Sequence, residues 1–289
     1  MFLGSYRNRQ QRNVSQFFRD FTDNEHVLTR DPLVPLPPRI EARPRHEDET
    51  LTLTFSELKY YFTCPYLFKL RFLYGFDAPV SRALGYGKSL HDALAEIHAE
   101  SIRGRVPDVA DVERLVEDHL HLPFANAPVR ENLVRAAIAA LTRYLREHGQ
   151  HLNRLEHVEK VIELKLADGI VVNGRIDLIR RTDTNEVLVV DFKSQERAQA
   201  EDITSRQLQV YAVGYEQLTG TRADLIEIHN LDRGGAIREV VNGALTAETL
   251  AIVEDAGRAL RNNQLPRLAN WCESCESCDL TAICRSEAR

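Results

Sequence analysis

The hydrophobic positions of the chain change period twice. From residue 54 the spacing is helical: Thr54 or Ser56 can cap, with Glu57 close behind, ahead of LKYYFTCPYLFKLRFLYGF. Apolar stripes at i, i+3 and i+4 predict further helices over about 88–104, over VERLVEDHL and over NLVRAAIAALTRYLREHG. The period then drops to two. VEKVIELKLA, GIVVNGRIDLIRR and EVLVVDFKS read as successive strands, with Asn173-Gly174 and Thr184-Asn185 supplying turn chemistry. A helix is expected over about 205–218, then a strand in ADLIEIHNLD, a Gly-Gly turn, a strand in AIREVVN and a helix in TAETLAIVEDAGRALRNN. Helices flanking a small mixed sheet define an α/β class, here with an N-terminal helical insertion and a cysteine-rich C-terminal tail. The predicted divisions are a helical part at about 54–150, a sheet core at about 157–242, and a last helix and tail at about 245–289. Residues 1–50 are rich in Arg, Asn, Gln and Pro and show no clean period. They read as an extended arm or linker, with a short helix in VSQFFRDF.

Composition narrows the class. The 289 residues are 43% hydrophobic and 28% charged, as in soluble globular proteins and unlike disordered ones. No apolar run approaches the roughly 20 residues that a membrane-spanning helix needs. The N-terminal MFLGSYRNRQQRN lacks the apolar core of a signal peptide, so a cytoplasmic location is expected, with no membrane partner. The net charge of −6 excludes a general basic coat for gripping duplex DNA, so any such grip must be a local patch.

Three acidic residues fall on or beside the predicted strands: Glu163, Asp177 and Asp191. Lys193 follows Asp191 by two positions, so both point to one side of a strand while Phe192 points into the core. Burying two carboxylates and a lysine beside an apolar sheet is expensive without a purpose. The combination suits phosphodiester hydrolysis. Carboxylates are hard ligands for Mg²⁺ or Mn²⁺, such a metal lowers the pKa of bound water, and a lysine stabilises developing negative charge. A D-x-K string taken alone is more often a strand end with a surface ion pair. His91, near a helix start, adds a candidate nitrogen ligand. Gln207 and Tyr211, four apart, share one helix face. The five cysteines are unevenly placed: Cys64 stands alone, and Cys272, Cys275, Cys278 and Cys284 crowd the end. In a cytosolic chain such cysteines are more often ligands or plain thiols than disulfides. The aromatics Tyr60, Tyr61, Phe62, Tyr66 and Phe68 read as core packing, with base stacking as the other reading.

Taken in order, GKSLH (Gly87 to His91), GRID (Gly174 to Asp177), DFK (Asp191 to Lys193) and QLQVY (Gln207 to Tyr211) resemble the PD-(D/E)xK nucleases of the RecB type, over roughly residues 50–289. The resemblance implies a restriction-endonuclease-like sheet core. It implies that His91, Asp177 and Asp191 bind catalytic Mg²⁺ or Mn²⁺, joined by the backbone carbonyl of Phe192, that Lys193 is catalytic, and that Gln207 and Tyr211 position the site and the DNA. Glu163 resembles the acidic residue of the family's first core strand. Cys64 with Cys275, Cys278 and Cys284 resembles the iron–sulfur staple of AddB and of the CRISPR-associated "Cas four" exonucleases, which implies a [4Fe–4S] cluster. On that spacing Cys272 is a bystander, and a four-cysteine zinc site is the competing reading. The arm resembles the end of a UvrD-type helicase. No P-loop is present, so a helicase enters only as a partner in cis or in trans. The resemblance implies a DNA nuclease favouring single-stranded ends in repair or end processing. A DNA-binding scaffold that has lost cleavage, and a CRISPR adaptation exonuclease, are the alternatives.

Overall fold

The computed structural model describes residues 6–7, 10–11, 50–194 and 201–285. The chain divides into two compact units, Met1–Ala42 and Arg43–Arg289. In the first, β1 (Tyr6–Arg7) pairs antiparallel with β2 (Gln10–Gln11). The rest of the arm, including the helix expected in VSQFFRDF, lies outside the described residues.

The second unit is a mixed α/β fold built on one six-stranded sheet flanked by helices. The period-two segments form β4 (Leu155–Lys165), β5 (Ile170–Arg181) and β6 (Val187–Lys193). The later strands are β7 (Leu225–Asn230) and β8 (Ala236–Val240). One further strand, β3 (Leu51–Thr54), precedes the first helix. Its four residues, LTLT, give too short an alternation to stand out from the helical pattern that follows. The β4–β5 connection is made by Ala167–Gly169, with Asp168 and Gly169 at φ +57° and +65°.

Asn173-Gly174 makes no turn, contrary to the expectation from the pair alone. It lies inside the continuous 12-residue β5. Gly174 serves packing instead: a Cβ there would sit 2.4 Å from Cε1 of Tyr211. Thr184-Asn185 does turn, with Asn185 at φ +68° and its N–H donating to Thr182 O at 3.0 Å.

Helices cover both faces. On one side stand α1 (Phe55–Thr63), α6 (Glu201–Thr219) and α7 (Gly243–Arg261), enclosing Ile162, Val172, Val189, Leu208 and Val253. On the other stand α3 (Tyr86–Ile102), α4 (Val112–His119) and α5 (Ala127–His148), enclosing Leu90, Leu141, Leu188, Val190 and Phe192. β6 is buried on both faces, which is why VLVV is continuously apolar. The helix expected to run through 54–76 is broken at Cys64 (φ −167°, ψ 118°), because Pro65 disfavours a helical residue before it. α2 (Pro65–Phe68) and a π-helical turn, Lys69–Leu73, follow. Thr54 caps α1 in a reciprocal box with Glu57. Two short helices, α8 (Glu273–Glu276) and α9 (Thr281–Cys284), carry the cysteine tail. Among the described residues no helix is long and apolar enough to cross a membrane.

Candidate active site

One edge of β5 is shared by two strands. β3 pairs parallel with its beginning, Leu51↔Ile170 to Thr54↔Asn173. β6 pairs antiparallel with its end, Leu178↔Val190 to Arg181↔Val187. Neither ladder reaches Gly174 to Asp177, and the two strands end facing one another across that gap. Side chains take over the pairing there. Asp177 Oδ2 accepts the Phe192 N–H at 2.8 Å, a bond that continued pairing would have given to backbone. Tyr211 is hydrogen-bonded by the Arg175 backbone.

The gap opens into a pocket of about 470 Å³ bordered by His91, Asp177, Asp191, Lys193, Gln207 and Tyr211. Each arrives from a different constraint. β5 presents Asp177, and β6 presents Asp191 and Lys193 on one face with the Phe192 ring turned into the opposite core. Behind that ring lie His98, stacked at 5.6 Å, Tyr144 at 5.5 Å and His229 at 5.7 Å, so the backbone carrying Asp191 and Lys193 stands on a rigid aromatic base. α3 brings His91. Its start needs Gly85, at φ +100°, where a Cβ would lie 2.3 Å from His121 O. α6 brings Gln207, whose Nε2 donates to Tyr211 Oη at 2.9 Å.

The electrostatics are those of charges held close with little water. Lys193 Nζ lies 2.8 Å from Asp191 Oδ2. His91 Nδ1 lies 3.4 Å from Asp177 Oδ1. Burial pushes the Asp191 carboxyl up to about 6, with Lys193 opposing the rise and Asp177 adding to it. Burial by itself lowers the His91 imidazole, but the hydrogen bond and charge of Asp177, with Asp191 beyond, outweigh it and the net shift is upward. Burial also raises the Tyr211 phenol, which stays neutral.

Glu163 is not brought to this site. Its side chain is 54% exposed and pairs with Lys165 at 3.3 Å. It lies at the rim, in register with Asn173, one residue outside the gap. The glutamate that does approach is Glu159, which the sequence reading missed. It sits at φ +50° inside β4, in the register opposite Asp177 and between the pairs Val158↔Leu178 and Lys160↔Ile176. One carboxylate oxygen of Glu159 lies within 4.8 Å of ligand atoms of both His91 and Asp177, and Arg175 Nε holds Oε2 at 2.7 Å. Burial first, then Asp177, raises its pKa. A left-handed residue within a strand leaves no trace in polar–apolar alternation, so only a register-level reading would have found it.

The cysteines occupy a different place. Cys64, Cys275, Cys278 and Cys284 border one small apolar recess with Leu67 and Leu70. They do not converge on a point: among the described residues no three cysteine sulfurs lie within 4.8 Å of one another. Cys272 is exposed, with its Sγ 3.8 Å from that of Cys275. The Cys275 thiol is lowered by the Cys272 backbone, the Cys272 side chain and Arg285. Cys284 is raised by burial and by its neighbours Cys64 and Cys278.

Two aspartates and a lysine thus meet where the strands of a helix-flanked mixed sheet part. The PD-(D/E)XK nuclease superfamily model matches residues 52–285, and the chain belongs to that superfamily. The chain is also similar to the crystal structure of SSO0001, at 18% identity and a TM-score of 0.33, over 67% of this chain and 95% of that one. No curated protein matches it.

Proposed function

We propose that the chain is a metal-dependent DNA nuclease of the RecB type, hydrolysing phosphodiester bonds at single-stranded ends. The observation that supports this reading most is the meeting of Asp177, Asp191 and Lys193 in the strand gap. The donor set suits a hard divalent cation such as Mg²⁺ or Mn²⁺. Asp191 Oδ2 is buried with Lys193 Nζ 2.8 Å away as its one polar neighbour among the described residues, so the carboxylate keeps acceptor capacity for a cation. Asp177, Asp191, His91 and the Phe192 carbonyl would hold the ion, with Glu159 in the place foreseen for Glu163. When bound, a cation there would supply Lewis-acid polarisation of a phosphate oxygen.

The chain's own groups do the rest. Lys193, tethered by Asp191, places positive charge where negative charge develops on the phosphate. The Gln207–Tyr211 pair braces Gly174 and the open edge of β5, which fixes Asp177. His91 orients the free face of Asp177 through Nδ1.

The four cysteines that share the recess are proposed to hold a [4Fe–4S] cluster, with Cys272 outside the ligand set. Thiolate donors in apolar surroundings suit iron–sulfur chemistry. This reading rests on the sequence spacing of the four cysteines, whose sulfurs are not gathered into one cluster-like arrangement. A UvrD-like helicase partner and a role in DNA repair or end processing in the cytoplasm rest on the sequence resemblance alone.

The test is digestion of end-labelled single and double strands with Mg²⁺ or Mn²⁺, with and without chelator. Cleavage should require the metal, and Lys193→Ala should reduce it on the order of 10²-fold or more while metal binding persists. Undiminished cleavage by Lys193→Ala would overturn the site. Iron content and the absorption spectrum of anaerobically purified protein test the cluster separately. A colourless, iron-free protein would remove the cluster and leave the nuclease reading intact.

A further inference from the structure

The segment between Glu57 and Asp77 carries Lys59, Lys69 and Arg71 and no acidic residue, in a chain of net charge −6. It begins at the pocket, which Ser56 and Lys59 border, and it ends in a group of large apolar side chains left open to solvent: Phe72 (43%), Leu73 (48%), Tyr74 (54%) and Phe76 (39%). These are not the aromatics that the sequence singled out. Phe68 is buried, and Tyr61 and Phe62 pack against the core.

The open rings are displayed on an ordered backbone. Phe76 N–H donates to Leu70 O at 3.0 Å and Tyr74 N–H to Lys69 O at 3.1 Å. Arg71 donates to Phe76 O at 2.7 Å and pairs with Asp279. Phe72 is propped edge-on by Tyr60 at 5.5 Å and tilted against Phe68 at 4.9 Å. Two ammonium groups lie over neighbouring rings, Lys59 over Tyr60 at 5.4 Å and Lys69 over Tyr74 at 5.6 Å. Solvent-exposed aromatics held in place and interleaved with cations along a segment that itself carries no acidic residue fit a ligand that offers flat π-faces on an anionic backbone.

We infer that the rings of Phe72, Tyr74 and Phe76, with Lys59 and Lys69, form a stacking platform for the unpaired bases of a single DNA strand whose phosphate backbone continues into the Asp177–Asp191 pocket. The inference rests on the nuclease reading for the strand's destination, and it specifies the substrate as single-stranded. Lys59 on α1 borders the pocket, and the next residue, Tyr60, packs against Phe72 at 5.5 Å, so the platform adjoins the pocket through α1. A duplex keeps its bases stacked internally and gains nothing from exposed rings.

The experiment is fluorescence anisotropy of labelled oligothymidine and of a duplex of equal length, in chelator so that no cleavage intervenes. The full chain is compared with F72A/Y74A and with F72W/Y74W, each checked for unchanged circular dichroism and melting. The alanine pair should weaken oligothymidine binding roughly tenfold or more and leave duplex binding unchanged. The tryptophan pair should bind like the parent. Photo-crosslinking through 5-iodouracil should map to residues 72–76.

Equal oligothymidine binding by the alanine pair would overturn the platform. So would crosslinks confined elsewhere, or a parent protein that self-associates through these residues while its DNA binding ignores them. A protein without cleavage activity that still binds through the rings would sink the hydrolytic reading and leave the platform. An active protein with ring-independent binding would do the opposite.

Discussion

The strand gap and the cysteine recess are built on opposite terms. In the gap every acidic group is already engaged: Asp177 by the Phe192 N–H, Asp191 by Lys193, Glu159 by Arg175. Sheet register and the buried rings under Phe192 set the positions, so the site is organised whether or not an ion is bound. In the recess the sulfurs come from Cys64 and from three cysteines more than 200 residues later, joined by short helices, the Arg71–Asp279 ion pair and Arg267, which lies 4.8 Å over the Tyr66 ring and donates to its hydroxyl at 3.3 Å. A polar site inside a sheet can be preorganised by the fold, whereas an apolar recess between distant chain segments is held by a few side-chain contacts.

The largest expected effect breaks that comparison at its weak side. Cys64→Ser or Cys284→Ser should cost about 3–5 kcal/mol of stability, the scale of removing a cross-link that closes a very long loop. Mn²⁺ binding at the gap, followed by electron paramagnetic resonance below the new melting point, should survive. Equal melting temperatures for parent and serine variants would show that the recess needs no such staple. Next comes the gap itself. Gly174→Ala forces a Cβ to within 2.4 Å of the buried Tyr211 ring, and a loss of about 1–3 kcal/mol in urea titration is expected. Gln207 and Tyr211 should separate, with cleavage falling as well.

A third effect concerns the histidines beneath the site. Burial pulls His98 down to about 3 and His229 down to about 4. Below pH 6.5 the unfolded chain takes up protons that these folded imidazoles refuse. Stability is therefore full above 6.5 and declines towards pH 4, by at most about 1.4 kcal/mol per pH unit for each histidine. The raised Asp191 runs the other way, taking its proton in the fold from about pH 6 downward and offsetting part of the loss. Urea midpoints at pH 7 and pH 5 measure the balance, and His98→Gln should flatten the decline. The smallest effect separates two glutamates four residues apart. Glu163→Gln should change stability by less than about 0.5 kcal/mol and leave Mn²⁺ affinity alone. Glu159→Gln should weaken that affinity. Equal effects from both would contradict the geometry of β4.

Most of this architecture is legible in the residues themselves. Alternation located β4, β5 and β6, and the i, i+2 rule put Asp191 and Lys193 on one face with Phe192 inward. What escaped was set by relations between strands. Asn173-Gly174 has turn chemistry, but its glycine answers to a tyrosine ring 37 residues away in sequence. Glu159 and Glu163 look alike in a list of acidic positions. Only the left-handed backbone of Glu159, in the register opposite Asp177, sets it near His91, while Glu163 falls opposite Asn173 at the rim. β3 was missed because four residues are too few to establish a period.

The shared edge of β5 carries a consequence for how such a protein would lose its chemistry. The opening exists because the β3 ladder on β5 ends at Thr54↔Asn173 and the β6 ladder ends at Val190↔Leu178, while Asp191–Lys193 run on paired to β7 alone. Extending either ladder along β5 would let ordinary backbone pairing zip the seam shut and displace Asp177 from the Phe192 amide. Inactivation by insertion would then come from mending the sheet, and the silenced protein would be the more regular and the harder to unfold.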